Sequence, residues 1–214
     1  FPAALRSEHA TFDIQYGYVK RTTHTNTSWD MAQFEVSGQR YADLSTGDYG
    51  VALLNDCKYG HKVKDNVLDL NLLRSPTEPD PDADLGQHTF TYSLLPHIGC
   101  LQDSPVMAEA AMLNQRPVLL DGYAAGKTAL PCALESDGIS LEVVKKAEKE
   151  DCLVIRLVET LGRTSTGVLK VADRTATLVE TGLMEWIDGE TTPCAEDIPI
   201  SLTPFEIRTY KIRS

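Results

Sequence analysis

From Val67 to Leu72 apolar and polar residues take turns, Val67-Leu68-Asp69-Leu70-Asn71-Leu72, and the alternation stops at Arg74-Ser75-Pro76. A period of two sends successive side chains to opposite faces of an extended chain, so this is a strand. Pro76 removes a backbone donor and cannot continue a ladder. An acidic, proline-broken loop from Glu78 to Asp84 follows, and a second strand-like run closes at Pro96-His97. Thr11–Thr22, Gln33–Leu44, Tyr49–Asn55 and His88–Leu95 are built in the same style, rich in aromatic and β-branched residues between turn residues. Asp65-Asn66 suits a tight hairpin turn before the Val67 strand, because both residues tolerate unusual backbone angles. The expectation is an all-β fold with an antiparallel meander.

One segment breaks the pattern. Ser104 to Asn114 predicts a helix, with serine as N-cap, proline at the first helical position and Arg116-Pro117 as its stop. Val106, Ala110 and Leu113 share a face that should pack on a sheet. From Asp121 to Asp137 glycine, alanine, proline and serine accumulate without period, which predicts a linker. Beyond it, Ile139-Leu141-Val143, Leu153-Ile155-Leu157, Val168–Val171, Thr175–Val179 and Ile207–Ile212 read as strands of a small Ig-like sandwich of about 75 residues. The expected domains are 1–133 and 138–214.

Composition narrows the partners. Apolar content of 42% is ordinary for a globular protein, which excludes a disordered tail. A formal charge of −11 disfavours nucleic acid, whose affinity is built on Lys and Arg. No apolar run nears the roughly 20 residues that span a bilayer, so no membrane partner is expected. The start at Phe1 has neither the basic nor the long apolar region of a signal peptide, and without an initiator methionine it leads us to expect a piece of a longer polypeptide. Five scattered cysteines without a CxxC pair argue against a zinc ribbon and against a secreted disulfide framework, so the expected location is cytoplasmic. Asn26-Thr27-Ser28 matches a glycosylation acceptor, a pattern short enough to arise by chance.

The usual catalytic patterns are missing. No G-x-S-x-G elbow, no H-x-x-x-H or H-x-H spacing and no glycine-rich phosphate cradle occurs. The acidic loop has neither the glycine nor the terminal glutamate spacing of a calcium loop and reads as solvated. Asp30, Glu35 and Asp56 are the nearest to catalytic carboxylates, but nothing in the sequence brings two of them together, so each reads as a surface or turn residue. No catalytic residue and no metal ligand is expected in this chain. Arg74 stands at the end of an apolar strand, where a guanidinium can project past the sheet rim and fork onto hydroxyls or a carboxylate. Its competing role is to pair with Asp80, Asp82 or Asp84 and shape the loop. Asn55 and Asp56, just after an apolar strand, are further candidates for substrate contact against a plain turn. Cys57 has no histidine partner indicated by spacing and reads as an inert thiol. Trp29 and Tyr49 are either sugar-stacking faces or core and interface anchors.

The segment from Tyr49 to His97, with Ala10–Ser45 before it and Leu141–Glu148 and Arg156–Glu159 after it, resembles the C-terminal β region of glycoside hydrolase family 38, the retaining α-mannosidases of cytosolic and bacterial type. The resemblance implies a partial galactose-mutarotase-like supersandwich followed by the Ig-like sandwich. It implies that catalysis lies in an N-terminal domain absent from this sequence, holding a divalent metal, zinc, with mannose-containing glycans as substrate. It places an arginine matching Arg74 at the rim of the sugar site. Implied partners are the N-terminal catalytic domain of the same polypeptide and, through an exposed edge or apolar face, a homo-oligomer. The alternative is a free-standing carbohydrate-binding or structural β-sandwich module, which needs an exposed aromatic platform of its own; burial of Trp29 would count against it.

Overall fold

The computed structural model describes residues 1–115, 117–119, 121–122 and 130–214. Arg116 and residues 123–129 of the expected linker lie outside the described residues, and Cys132–Glu135 of that linker form a strand. The chain divides into two compact units, Phe1–Leu119 and Leu120–Ser214. Both are built from antiparallel strands, so the all-β expectation holds.

In the first unit, β1 (His9–Ile14) and β2 (Gly17–Thr22) form a hairpin, followed by a short helix α1 (Ser28–Ala32) and strands β3 (Val36–Ser37), β4 (Tyr41–Ser45), β5 (Tyr49–Asn55), β6 (Gly60–Lys64), β7 (Val67–Leu70) and β8 (Tyr92–Ile98). A 3-10 turn (Leu101–Asp103) and helix α2 (Val106–Asn114) close it. The main sheet runs β2-β1-β4-β5-β8 and a smaller one β3-β6-β7. Strand alternation splits the apolar residues between two layers. Phe12, Ala42, Leu44 and Leu53 pack with Val63 and Leu68 of the small sheet, while Tyr41, Ala52 and Leu54 pack with Leu101, Val106 and Ala110. The helix face expected from the sequence therefore does meet a sheet. The helix begins at Val106, one residue later than expected, with Pro105 rather than Ser104 as N-cap; the Ser104 hydroxyl accepts from the Val106 amide at 3.3 Å. Asp65 adopts φ +54° in the two-residue turn between β6 and β7, as expected.

The register of β8 depends on a glycine. His97 lies opposite Gly50 on β5, and its Nε2 reaches past that bare backbone to Asp43 Oδ1 on β4 at 2.8 Å. Both side chains are buried. The Ser45 hydroxyl donates to the other Asp43 oxygen at 2.6 Å. Burial pushes the Asp43 carboxyl up from its usual range, and the Ser45 and His97 contacts oppose that rise. A Cβ on Gly50 would stand 2.3 Å from the His97 ring. A second buried imidazole, His61 on β6, sits edge-on to Phe12 with ring centroids 6.1 Å apart.

The second unit contains β9 (Cys132–Glu135), β10 (Ile139–Lys146), β11 (Leu153–Glu159), β12 (Ser165–Val171), β13 (Thr177–Thr181), β14 (Asp188–Pro193), β15 (Ile198–Leu202) and β16 (Ile207–Arg213). Sheets β10-β11-β16-β13-β14 and β15-β12-β9 enclose one core of Ile155, Leu157, Leu169, Leu178, Leu202 and their neighbours. Strand β9 pairs with β12, so this unit takes in residues upstream of the 138 start suggested by composition. Strands β9, β14 and β15 escaped the sequence analysis: β9 is four residues long and β14 exposed throughout, whereas β15 was missed although Ile198, Ile200 and Leu202 alternate with Pro199 and Ser201 and are buried. The fully buried Glu159 carboxylate accepts from the amides of Leu161, Gly162 and Phe205 and from the Ser165 hydroxyl, each at 2.9 Å, and so ties two turns to β11.

Two outcomes are expected. Gly50→Ala forces the His97 ring out of its contact and should destabilise the first unit by about 3 kcal/mol, at the upper end for overpacking. Adding His97→Ala to it should cost clearly less than the sum of the two single changes, read from urea dependence of amide exchange in β4 and β5. Burial holds the His61 imidazole below its ordinary value of 6.5. A depressed folded pKa means that the unfolded chain takes up the proton first as pH falls, so stability present above 6.5 declines below it. His61→Phe should flatten this decline between pH 7 and 5.5 in the same exchange measurement.

Candidate functional site

The small sheet's last strand delivers the candidate residues. The Asn71 amide donates to the Gly60 carbonyl at 2.8 Å, which carries the β6–β7 pairing one residue past the strand's end. Its side-chain amide donates to Glu35 Oε1 at 3.2 Å, and Arg74 Nη2 lies 3.2 Å from Glu35 Oε2. A Cβ on Gly60 would fall 2.3 Å from Glu35 Oε1, so this glycine leaves the room that the carboxylate occupies. The result is an open cleft of about 260 Å³ lined by Glu35, Lys58, Gly60, Asn71, Arg74 and Asp84. That is smaller than the roughly 300–1,000 Å³ of pockets that enclose a drug-sized ligand. The lining carries both signs of charge, with forked donors and carboxylate acceptors side by side, which suits hydrogen bonding to sugar hydroxyls.

Arg74 thus pairs with Glu35 rather than with the acidic loop. Its side chain stays 72% exposed, against 28% for Glu35, so the guanidinium projects from the rim. The loop is organised without it: Asp84 accepts from the Ser75 amide at 2.8 Å, Asp80 from the Asp82 amide at 3.0 Å, and His88 Nε2 meets the Asp84 carbonyl at 2.8 Å.

Asn55 and Asp56 occupy a turn. Asn55 is buried; its Oδ1 accepts from the amides of Cys57 and Lys58, and its Nδ2 donates to the Gln39 carbonyl at 2.8 Å. Asp56 accepts from the Thr91 amide at 2.9 Å, and that bond, first among several, holds its carboxyl below the ordinary range. The turn sets the position of Lys58, which lines the cleft and whose Nζ lies 4.9 Å from the centre of the Phe90 ring. Asp30 belongs to a helix cap. With Thr27 it forms a capping box at the start of α1, and the Thr27 hydroxyl is the main cause of its lowered pKa. Trp29 on α1 is 82% exposed, and Met31 and Phe34 are exposed beside it in sequence. Tyr49 is 39% exposed. The five cysteines are free thiols. Among the described residues no three His, Cys, Asp or Glu side chains stand where they could share a metal ion.

Residues 1–82 match the family described as Glycosyl hydrolases family 38 C-terminal domain, and residues 138–210 match Glycosyl hydrolases family 38 C-terminal beta sandwich domain. The chain belongs to glycoside hydrolase family 38, to its C-terminal β region. Its similarity to Alpha-mannosidase 2C1 of Mus musculus is 47% identity over 167 residues, 76% of this chain and 16% of that protein. To Alpha-mannosidase G of Dictyostelium discoideum it is 36% over 222 residues, 98% of this chain and 20% of that protein. The chain therefore spans a fifth or less of the length of these curated relatives. Among solved structures, an α-mannosidase from Enterococcus faecalis superposes with a TM-score of 0.72 at 21% identity, covering 99% of this chain and 25% of that one, which shows the shared fold.

In this family 38 β region the sequence singled out Arg74 but missed Asn71 and Lys58, and it took Glu35 for a surface or turn residue. Asn71 had a faint signal as a polar residue on the face of β7 opposite Leu68 and Leu70. Glu35 had none, being 39 positions from Arg74. Exposed ion pairs contribute about 0–1 kcal/mol. Arg74→Ala should therefore shift the urea midpoint of the first unit only slightly, with amide exchange in β6 and β7 unchanged. A large loss of stability would instead make the arginine a structural strut.

Proposed function

We propose that this chain is the non-catalytic C-terminal β region of a retaining α-mannosidase that hydrolyses terminal α-mannosides in an N-terminal domain outside this sequence. The two carboxylates of such a reaction, about 5–5.5 Å apart when configuration is retained, and the divalent metal, zinc, are assigned to that domain. The role assigned to this chain is to close one side of the sugar site with Arg74. What supports this is the exposed guanidinium, steadied by Glu35 while most of its side chain remains open to a ligand. Asn55 and Asp56 are assigned a supporting part, holding the turn that carries Lys58. The part assigned to face substrate is the first unit, Phe1–Leu119, in place of the expected 1–133, whose last residues pair with β12. The assigned location is cytoplasmic, an assignment supported by five free thiols.

The full-length enzyme tests the proposal. Arg74→Ala should remove a charge-assisted hydrogen bond to substrate and lower kcat/KM more than tenfold, about 1.5–3 kcal/mol. Arg74→Lys should recover little, because an ammonium cannot reproduce the planar fork. Unchanged kinetics in the alanine variant would remove Arg74 from the site. The present chain alone should leave an aryl α-mannoside intact; turnover abolished by changing one of its own carboxylates would overturn the assignment of catalysis to another domain.

One observation favours a second reading, a carbohydrate-binding module. Trp29 is exposed, which such a module requires of its stacking platform. Calorimetric binding of mannose or a mannobiose by this chain, lost in Trp29→Ala, would support it.

A further inference from the structure

The small sheet of the first unit has an unfinished edge. Strand β7 borders β6 on one side, and on the other, among the described residues, the first residues of the chain meet it. There Phe1 and Leu68 exchange both backbone bonds, the Phe1 nitrogen donating to the Leu68 carbonyl at 2.8 Å and the Leu68 amide to the Phe1 carbonyl at 2.9 Å. Pro2 pairs with Val67, and the Ala3 amide donates to the Asn66 carbonyl at 2.8 Å. Phe1–Ala3 thus pair antiparallel with Asn66–Leu68, in register from the first residue. In such a ladder alternate residues turn their backbone groups to the same side. Leu68 faces this edge, so the amides of Leu70 and Leu72 face it too, while Asn71 turns to Gly60.

We propose that the polypeptide immediately upstream of Phe1 in the full-length protein continues this strand along β7, completing a four-stranded sheet and running towards the Arg74–Glu35 cleft. The occupant is fixed by three observations. The matching family descriptions place this region at the C-terminal end of longer proteins. The relatives are about five times its length, as the 20% coverage of one of them records. The antiparallel register carries the chain direction from Leu68 towards Leu72 as one moves upstream from Phe1. Each residue preceding Phe1 advances one position on β7, so four residues reach Leu72 and the next ones reach the rim at Arg74. The segment that leads back to the rest of the protein therefore passes the candidate sugar-facing cleft. The inference rests on the reading that a further domain precedes this chain.

Amide hydrogen exchange tests it on two proteins, this chain and the full-length polypeptide. The Leu70 and Leu72 amides should exchange at least tenfold more slowly in the full-length protein, with Ile155 and Val179 in the second unit serving as references that stay within twofold. Equal exchange at Leu70 and Leu72 in the two proteins overturns the proposal. So does protection that appears in this chain alone and rises with its concentration, because a second copy then covers the edge. Assay of α-mannosidase activity on the same full-length sample separates the two claims. Activity without protection sinks the strand and leaves the proposed function standing, whereas protection without activity does the reverse.

Discussion

A buried imidazole held against a buried carboxylate fixes the edge of the main sheet, and it can do so only because Gly50 between them has no side chain. His97 and Asp43 sit two strands apart. Leaving either polar group without the other inside the sheet would cost several kcal/mol, so the contact selects one register for β8 out of those that its apolar residues would accept. That register has a consequence upstream. The long stretch from Arg74 to Thr91 has no strand of its own, and its ends are set by Asn71 on Gly60 at one side and Thr91 on Asp56 at the other. With β8 in place, the loop returns to a fixed point and Arg74 stays at the rim.

The cleft itself is built on economy of side chains at glycine. Gly60 admits the Glu35 carboxylate, and Glu35 then holds Asn71 and Arg74 together. Because the Arg74 end of this pair is mostly exposed, the pair adds little to folding, and the guanidinium keeps most of its surface open. The acidic loop takes the opposite course. Its aspartates spend themselves on their own backbone amides, the usual use of Asp in turns, and so Asp80 and Asp84 compete less for the arginine.

What the sequence made legible follows from the range of the signals. Strands β5, β7, β11 and β16 carry apolar residues at period two or in unbroken runs, and their faces were readable because burial acts on each residue locally. The Asp65-Asn66 turn was legible for the same reason. Strand β14 was not: Asp188–Pro193 is exposed along its whole length, so no burial pattern marks it, and it is held by pairing to β13 and by ion pairs from Asp188 to Lys211 and Arg213 of β16. Helix α1 was missed because a five-residue helix has no periodicity to detect; its sign was the Thr27 to Asp30 spacing of a capping box, which went unread. The site was half legible. Arg74 announced itself by standing where a strand stops, whereas Glu35 and Lys58 meet it through strand pairings that no local pattern encodes.

The exposed side chains of the first unit sort by what they would lose to water. Trp29, Met31 and Phe34 follow one another within six residues around α1, and Lys62 Nζ lies 4.0 Å from the centre of the Phe34 ring. Large apolar groups left open in a small stretch carry the signature of a surface that is covered in a larger assembly or by a ligand. A sugar platform and a protein interface make different demands here. Stacking on a sugar needs one flat ring held rigid, but α1 has no buried residue of its own to brace Trp29. A protein interface needs a broad apolar patch with a polar rim, and Lys62 beside Phe34 is one charged group bordering this stretch. On those demands the exposed residues around α1 fit a broad contact better than a single stacking ring, and the cleft at Arg74 stays the proposed place for hydroxyl recognition.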